Sequence, residues 1–362
     1  MSRGRFYLRC EANEWDFIRK LKSPPFDAAV ISDRYLAQYP EGHKHFNDNP
    51  DRLTKAIEAH GLDWSVDPDT ARLQHPKSIE RQRPRAANRP LARALPLPLT
   101  VEQLRSADNS AALAEAAAEQ QLGSRAFAAP YLEVAGLDDP RLKVNLTLLE
   151  RSRELAGDRT LIAYLQVLRS HLLDGTAAAV AEHLADNGAE VIFVRIRRFE
   201  PELASPAELL AYSGVIRAGS ADGTRVVGDC VGRLGPALIA TGADGFATNA
   251  LRFRKVAEDL HPVGGGGGNG PELKWEVPEA GTARAASEPP STIPCEVEGC
   301  PAPRGRGASN AATRIHNLHD LKRSGLLAAE EGLGYATRLS RSSSPILRGW
   351  AAALQQLASR AA

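Results

Sequence analysis

Between residues 128 and 250 short apolar, β-rich runs alternate with stretches whose apolar residues recur at helical spacing. The first run is Pro130–Gly136, followed by a helix carrying Leu142, Leu146, Leu149 and Leu155 and stopped at Gly157. The run from Thr160 to Val167 precedes a helix that starts near Gly175–Thr176. It carries Val180, His183 and Leu184 and ends at Asn187–Gly188. Glu190–Arg197 follows, then a helix announced by Ser205–Pro206, a capping residue with proline at the first helical position. Thr224–Asp229, Gly235–Gly242 and Ala243–Asn249 are read as further runs. Near-continuous apolar strands joined by helices predict a parallel sheet covered on both faces.

The N-terminal part keeps the same rhythm. Arg5–Cys10, Phe26–Asp33 and Leu62–Asp67 read as strands, and Asn49–Pro50 opens a helix through Leu53, Ala56 and Ile57 that closes at His60–Gly61. Seven or eight strands favour a closed (β/α)8 TIM-type barrel over an open doubly wound sheet. No glycine fingerprint follows the first strand and no Walker-type loop occurs, which disfavours a dinucleotide or P-loop fold. The organisation read from this is a barrel core over 1–261, a Gly/Pro-rich insertion over 262–293, and a Cys/His-bearing helical part over 294–362 that completes the barrel. Residues 71–99 form a basic loop with Arg72, Lys77, Arg81, Arg83, Arg85, Arg89 and Arg93.

Composition narrows the class. A hydrophobic fraction of 43% suits a globular chain, and no run approaches the roughly 20 apolar residues of a membrane span. The basic start, Met-Ser-Arg-Gly-Arg-Phe, has no apolar run behind it, so no signal peptide is expected. A net charge of +1 gives no bulk attraction for nucleic acid, so such a surface would have to be local. Four cysteines suggest a reducing, cytoplasmic setting rather than a disulfide framework.

Two of those cysteines carry the candidate metal chemistry. Cys295 and Cys300 precede His316 and His319 within 25 residues, and thiolate with imidazole is the donor set of a structural, tetrahedral zinc site. A His pair at i, i+3 lies on one helix face. The pair His43 and His45 has no further convincing ligand nearby and reads as solvated loop.

In a parallel barrel function gathers at the C-terminal ends of the strands. Asp33, Asp67, Glu133, Gln166, Arg195, Arg197, Asp229 and the segment Asp244–Asn249 stand at such ends. Converging carboxylates are the raw material of general-base or nucleophilic catalysis, and paired arginines of phosphate or carboxylate binding. Asp67-Pro68-Asp69-Thr70 is equally a plain turn sequence.

Ala163-Tyr-Leu-Gln166-Val, Val227-Gly-Asp-Cys-Val-Gly-Arg-Leu-Gly-Pro236, Thr241-Gly-Ala-Asp-Gly-Phe246 and the Cys295/Cys300 pair occur in the order of the corresponding motifs of one family. In that order the chain resembles the tRNA-guanine transglycosylase superfamily, TIM barrels with a C-terminal zinc insert that exchange guanine for a 7-deazaguanine. Trp64–Gln74 is similar to the segment bearing that family's base-contacting aspartate, and Glu133 to its guanine-recognising acid. The chain departs from the pattern where Ala247 follows Phe246 in the place of the family's nucleophile, and where Val297 replaces a middle cysteine. The resemblance implies structural zinc, catalysis by Asp67 with Asp244 or Asp229, base reading by Gln166 and Glu133, and backbone contacts from Arg195, Arg197 and the basic loop. It implies tRNA or DNA, a 7-deazaguanine-type base and a second copy of the chain as partners, and no membrane. Two alternatives remain open: a catalytically silent barrel that binds nucleic acid or a protein, and an unrelated TIM-barrel enzyme acting on a small phosphorylated substrate.

Overall fold

The computed structural model describes residues 4–10, 14–36, 51–76, 79, 90–220, 223–249, 274–277, 282–285 and 310–361. Eight parallel strands form a nearly closed (β/α)8 barrel: β1 (Arg5–Cys10), β2 (Ala28–Ser32), β3 (Asp63–Asp67), β4 (Ala126–Ala128), β5 (Thr160–Leu168), β6 (Val191–Arg197), β7 (Arg225–Asp229) and β8 (Gly245–Asn249). β8 pairs with β1, so the chain's first and last barrel strands are neighbours. Among the described residues a main helix follows each strand, with short helical turns in some connections: α1 (Glu14–Arg19), α2 (Arg52–Glu58), α3 (Ala107–Gln120), α4 (Pro140–Ala156), α5 (Thr176–Asp186), α6 (Pro206–Gly219), α7 (Leu234–Ala240) and α8 (Asn310–Glu331). A ninth, α9 (Pro345–Ala361), packs across α6, and its Trp350 Nε1 donates to Ala204 O at 2.7 Å. A two-stranded hairpin, Lys274–Val277 with Thr282–Ala285, interrupts the run between β8 and α8.

Local sequence accounts for most boundaries. α6 begins with a capping box: Ser205 Oγ accepts from Glu208 N, Glu208 Oε2 accepts from Ser205 N, and Pro206 stands at the first helical position. α4 starts on Asp139, whose side chain accepts from Arg141 N, and stops at Gly157 with positive φ.

The run Gly235–Gly242, expected as a strand, is instead the helix α7. All seven of its residues are buried, so no polar face marks the helical period. Gly235 sits directly under Phe246, where a Cβ would lie 2.3 Å from the ring, and this close approach lets the helix reach β8. The strand expected over Pro130–Gly136 lies earlier, at Ala126–Ala128, and 130–136 is a loop that side chains and two backbone bonds hold over the barrel end. Ala129 N and Val134 N donate to Ile162 O and Gln166 O of β5, while side chains take the groups between. Asn145 Oδ1 accepts from Leu132 N, and Thr70 Oγ1 from Tyr131 N.

β3 and β4 share no ladder, and side chains close that seam. Thr70 Oγ1 donates to Tyr131 O at 2.6 Å and Ser124 Oγ to Trp64 O at 2.9 Å, while Gln74 Oε1 accepts from Glu133 N at 3.1 Å. These bonds satisfy backbone groups that the missing ladder would have left bare.

The strand registers stack the barrel interior in layers contributed by alternate strands. Val30, Ala128, Phe193 and Ala247 form one apolar layer. The next layer toward the C-terminal mouth is Arg9, Asp67, Tyr164 and Asp229, and above it stand Ser32, Arg195 and Asn249. The larger apolar core lies outside, between strands and helices, where Phe6, Leu8, Ile31, Ile192 and Val194 meet the helix faces.

Candidate active site at the barrel mouth

Arg9, Asp67 and Asp229 of the charged layer form a closed quartet with Arg195 of the layer above. Arg9 Nη1 donates to both oxygens of Asp229 at 2.8 Å, and Arg9 Nη2 to Asp67 Oδ2 at 2.6 Å. Arg195 Nη2 reaches Asp67 Oδ2 at 2.5 Å and Asp229 Oδ2 at 2.6 Å, and its Nε adds a third bond at 2.8 Å. The quartet joins four strands, β1, β3, β6 and β7, at the end where their inward residues converge.

Asp67 is completely buried, and both its oxygens accept twice. Oδ2 takes the two guanidiniums, while Oδ1 takes Tyr131 Oη and the backbone N of Asp69, each at 2.9 Å. Oδ1 therefore makes the turn bond that Asp67-Pro68-Asp69 predicts, while Oδ2 holds the two guanidiniums. Burial pushes the Asp67 carboxyl up, but Arg195 and Arg9 outweigh it and hold the group far below the usual carboxylate range. Burial pushes the Tyr131 hydroxyl well above its ordinary value, with Arg195 opposing, so it remains a donor.

A second, more superficial group sits beside the quartet. Gln166 Nε2 donates to Glu133 Oε2 at 3.2 Å, Arg197 Nη1 donates to the same oxygen, and Arg195 Nη1 approaches Gln166 Oε1 at 3.5 Å. Gln166, Arg195 and Asp229 are aligned in register across β5, β6 and β7, which is why they meet. Three non-glycine residues just past strand ends have positive φ: Asp69 (49°), Arg198 (56°) and Cys230 (60°). Such backbone clusters where a site is held in shape by its surroundings.

The structure thus brings together Asp67, Asp229, Glu133, Gln166, Arg195 and Arg197. It does not bring Asp244 to them. Asp244 precedes β8 at the N-terminal end of the barrel, where its Oδ2 accepts from Val226 N at 3.0 Å and its carbonyl accepts from Gly4 N and Arg5 N. The segment Asp244–Asn249, expected at the mouth, comprises β8 and the residue before it, so Asp244 stands at the opposite end of the barrel. Asn249 is the residue of that segment that reaches the mouth.

Arg9 was not singled out from the sequence, yet it closes the quartet. The available signal was the alternation of Arg5, Tyr7 and Arg9 against Phe6, Leu8 and Cys10, which puts Arg9 on the inward face of β1.

Of the expected zinc ligands, Cys295 and Cys300 lie outside the described residues. His316 is buried and His319 half-buried on α8, and burial lowers the pKa of both, which keeps the imidazoles neutral. Among the described residues no group of three or more His, Cys, Asp or Glu side chains is placed to hold a metal ion. No helix among them is long and apolar enough to cross a membrane. The described part of the basic loop holds short helical turns, Thr70–Gln74 and Pro90–Arg93, and most of its arginines lie outside the described residues.

No family model matches the chain, and no curated protein matches it. Among solved structures the chain is similar to a psychrophilic glycoside hydrolase family 10 endo-β-1,4-xylanase. The identity is 8% and the TM-score 0.39, over 68% of this chain and 86% of that one.

Proposed function

We propose that the protein is a TIM-barrel glycosyl-transfer enzyme of the base-exchanging type, with Asp229 and Asp67 flanking the anomeric carbon of a nucleoside unit. The observation that carries this reading is the shared nitrogen of Arg195. Asp67 Oδ2 and Asp229 Oδ2 both bond to it, so they stand no more than about 5 Å apart, near enough for both carboxylates to flank one anomeric carbon.

The two acids differ in a way that divides their roles. Every lone-pair direction of Asp67 is used, so its charge serves to hold Arg9 and Arg195 and to stabilise a cationic, oxocarbenium-like transition state. Asp229 Oδ1 accepts one strong bond, from Arg9, besides a long contact with the Cys230 thiol, and retains a lone pair for attack. In the proposed step Asp229 Oδ1 forms a bond to the anomeric carbon while the carbon–nitrogen bond breaks and its electron pair leaves with the base. The incoming base then bonds through its ring nitrogen to the anomeric carbon as the bond to Asp229 breaks, and its N–H proton passes through solvent to the departed base anion. Gln166 and Glu133 face the base edge, where an amide and a carboxylate match a purine's donor and acceptor pattern.

The test is incorporation of labelled guanine into tRNA, DNA and free nucleosides. The expected result is exchange into one of them, lost at least about 1000-fold in Asp229→Asn. Absence of exchange into all three, or an unimpaired Asp229→Asn variant, ends the reading.

A catalytically silent barrel is the second reading, favoured by the internal balance of the quartet, in which each arginine is bonded to both aspartates. It predicts that Asp229→Asn leaves polynucleotide binding unchanged and that wild type turns over nothing.

A further inference from the structure

Two hydroxyls on the axis-facing surface have no hydrogen-bond partner among the described residues: Tyr164 Oη and Ser32 Oγ. They are buried, at 2% and 6% exposure, so water does not freely satisfy them. Tyr164 belongs to the charged layer itself, with Arg9, Asp67 and Asp229, and Ser32 stands opposite Asp67 in the β2–β3 register at the mouth. A buried polar group left without a bond costs free energy, and native interiors keep few of them.

The tyrosine's ring does not need its hydroxyl. It stacks on Tyr131 with centroids 4.8 Å apart and packs on Phe193 at 5.3 Å, and the Arg195 guanidinium lies over it at 5.2 Å. Phenylalanine would make all three contacts. The aspartates of the same layer are strong acceptors, yet Asp67 already receives four donors and Asp229 binds both guanidiniums. Apart from the remaining lone pair of Asp229 Oδ1, what this site leaves available is therefore hydroxyl.

We propose that the Tyr164 and Ser32 hydroxyls are the ligand contacts of the barrel axis, and that they take a neutral, hydroxyl-bearing ring, the sugar of a nucleoside or glycoside, in preference to a phosphate. The identity of the ring as a sugar rests on the glycosyl-transfer reading; the hydroxyl pair itself does not. Both arginines of the quartet are held by carboxylates, so an anion entering the layer would meet Asp67 and Asp229 before it met an unengaged cation. Burial, with Asp67 and Asp229 beside it, pushes the Tyr164 hydroxyl well above its ordinary pKa, so it stays protonated and donates.

Calorimetric titration of the full chain with guanosine, methyl β-D-ribofuranoside, guanosine 5′-monophosphate and inorganic phosphate tests this, with Tyr164→Phe and Ser32→Ala beside wild type. The two neutral ligands are expected to bind, each variant weakening them about tenfold, as loss of one buried hydrogen bond does. The melting temperature of Tyr164→Phe is expected to stay level or rise, because no bond is lost in the free protein. Phosphate is expected not to compete with methyl riboside. The proposal is overturned if neither neutral ligand binds, if Tyr164→Phe binds both as wild type does, or if it melts several degrees lower, the mark of a structural hydroxyl. Weakened binding in Tyr164→Phe without wild-type turnover leaves the hydroxyl pair standing and ends the glycosyl-transfer reading. Turnover sensitive to Asp229→Asn but indifferent to Tyr164→Phe and Ser32→Ala does the reverse.

Discussion

Arg9 and Asp229 are separated by 220 residues and meet through Nη1 and both carboxylate oxygens at 2.8 Å. The contact exists because β8 pairs with β1, which puts β7 two strands from β1 and lets inward residues of the two share a layer. Removing Arg9 leaves both aspartates with Arg195 as their remaining guanidinium. Arg9→Met keeps the volume and removes the charge, and is expected to cost about 3–5 kcal/mol, the penalty for breaking a buried network from one side. Thermal melts should show a loss of about 6–10 °C. Adding Asp229→Asn should recover part of it, since the pair is coupled.

The same network gives stability a direction with pH. The Asp67 pKa is held below its unfolded value, so its contribution is present above pH of about 4 and is lost as pH falls below that. In Asp67→Asn this acid-dependent part should disappear from a plot of melting temperature against pH. An unchanged acid limb would contradict the assignment.

Asp320 on α8 acts in the opposite sense. Burial raises its carboxyl to about 6, with Arg233 and Arg323 opposing. The folded chain keeps a proton that the unfolded chain gives up near pH of about 4, so this group's contribution falls as pH rises from there to about 6 and is constant above. Asp320→Asn should raise the melting temperature by about 2 °C at pH 8 and leave it unchanged at pH 4.

Asp244 offers a control at the other end of the barrel. Asp244→Ala removes the acceptor of Val226 N and should cost about 1–2 kcal/mol in denaturant unfolding. Guanine exchange by the folded variant is expected to match wild type, because the residue stands at the N-terminal face.

The zinc proposal stands on sequence spacing. Its expected outcome is about one zinc per chain in the purified protein, absent from Cys295→Ser and from His319→Ala. A metal-free wild type ends it.

The sequence by itself determined the barrel. Apolar runs at strand length and helices with legible caps such as Ser205-Pro206…Glu208 are local patterns. Local pattern also placed Asp67, Gln166, Arg195, Arg197 and Asp229 at strand ends. It failed at Gly235–Gly242, where burial on every side of α7 erased the periodicity that distinguishes helix from strand. Only the tertiary structure decided which charges meet. Alternation tells which face a residue takes, but not which end of the barrel it occupies or which strand stands across the axis. Those follow from register and closure, which put Arg9 of the first strand into the site and kept Asp244, at the start of the last, out of it.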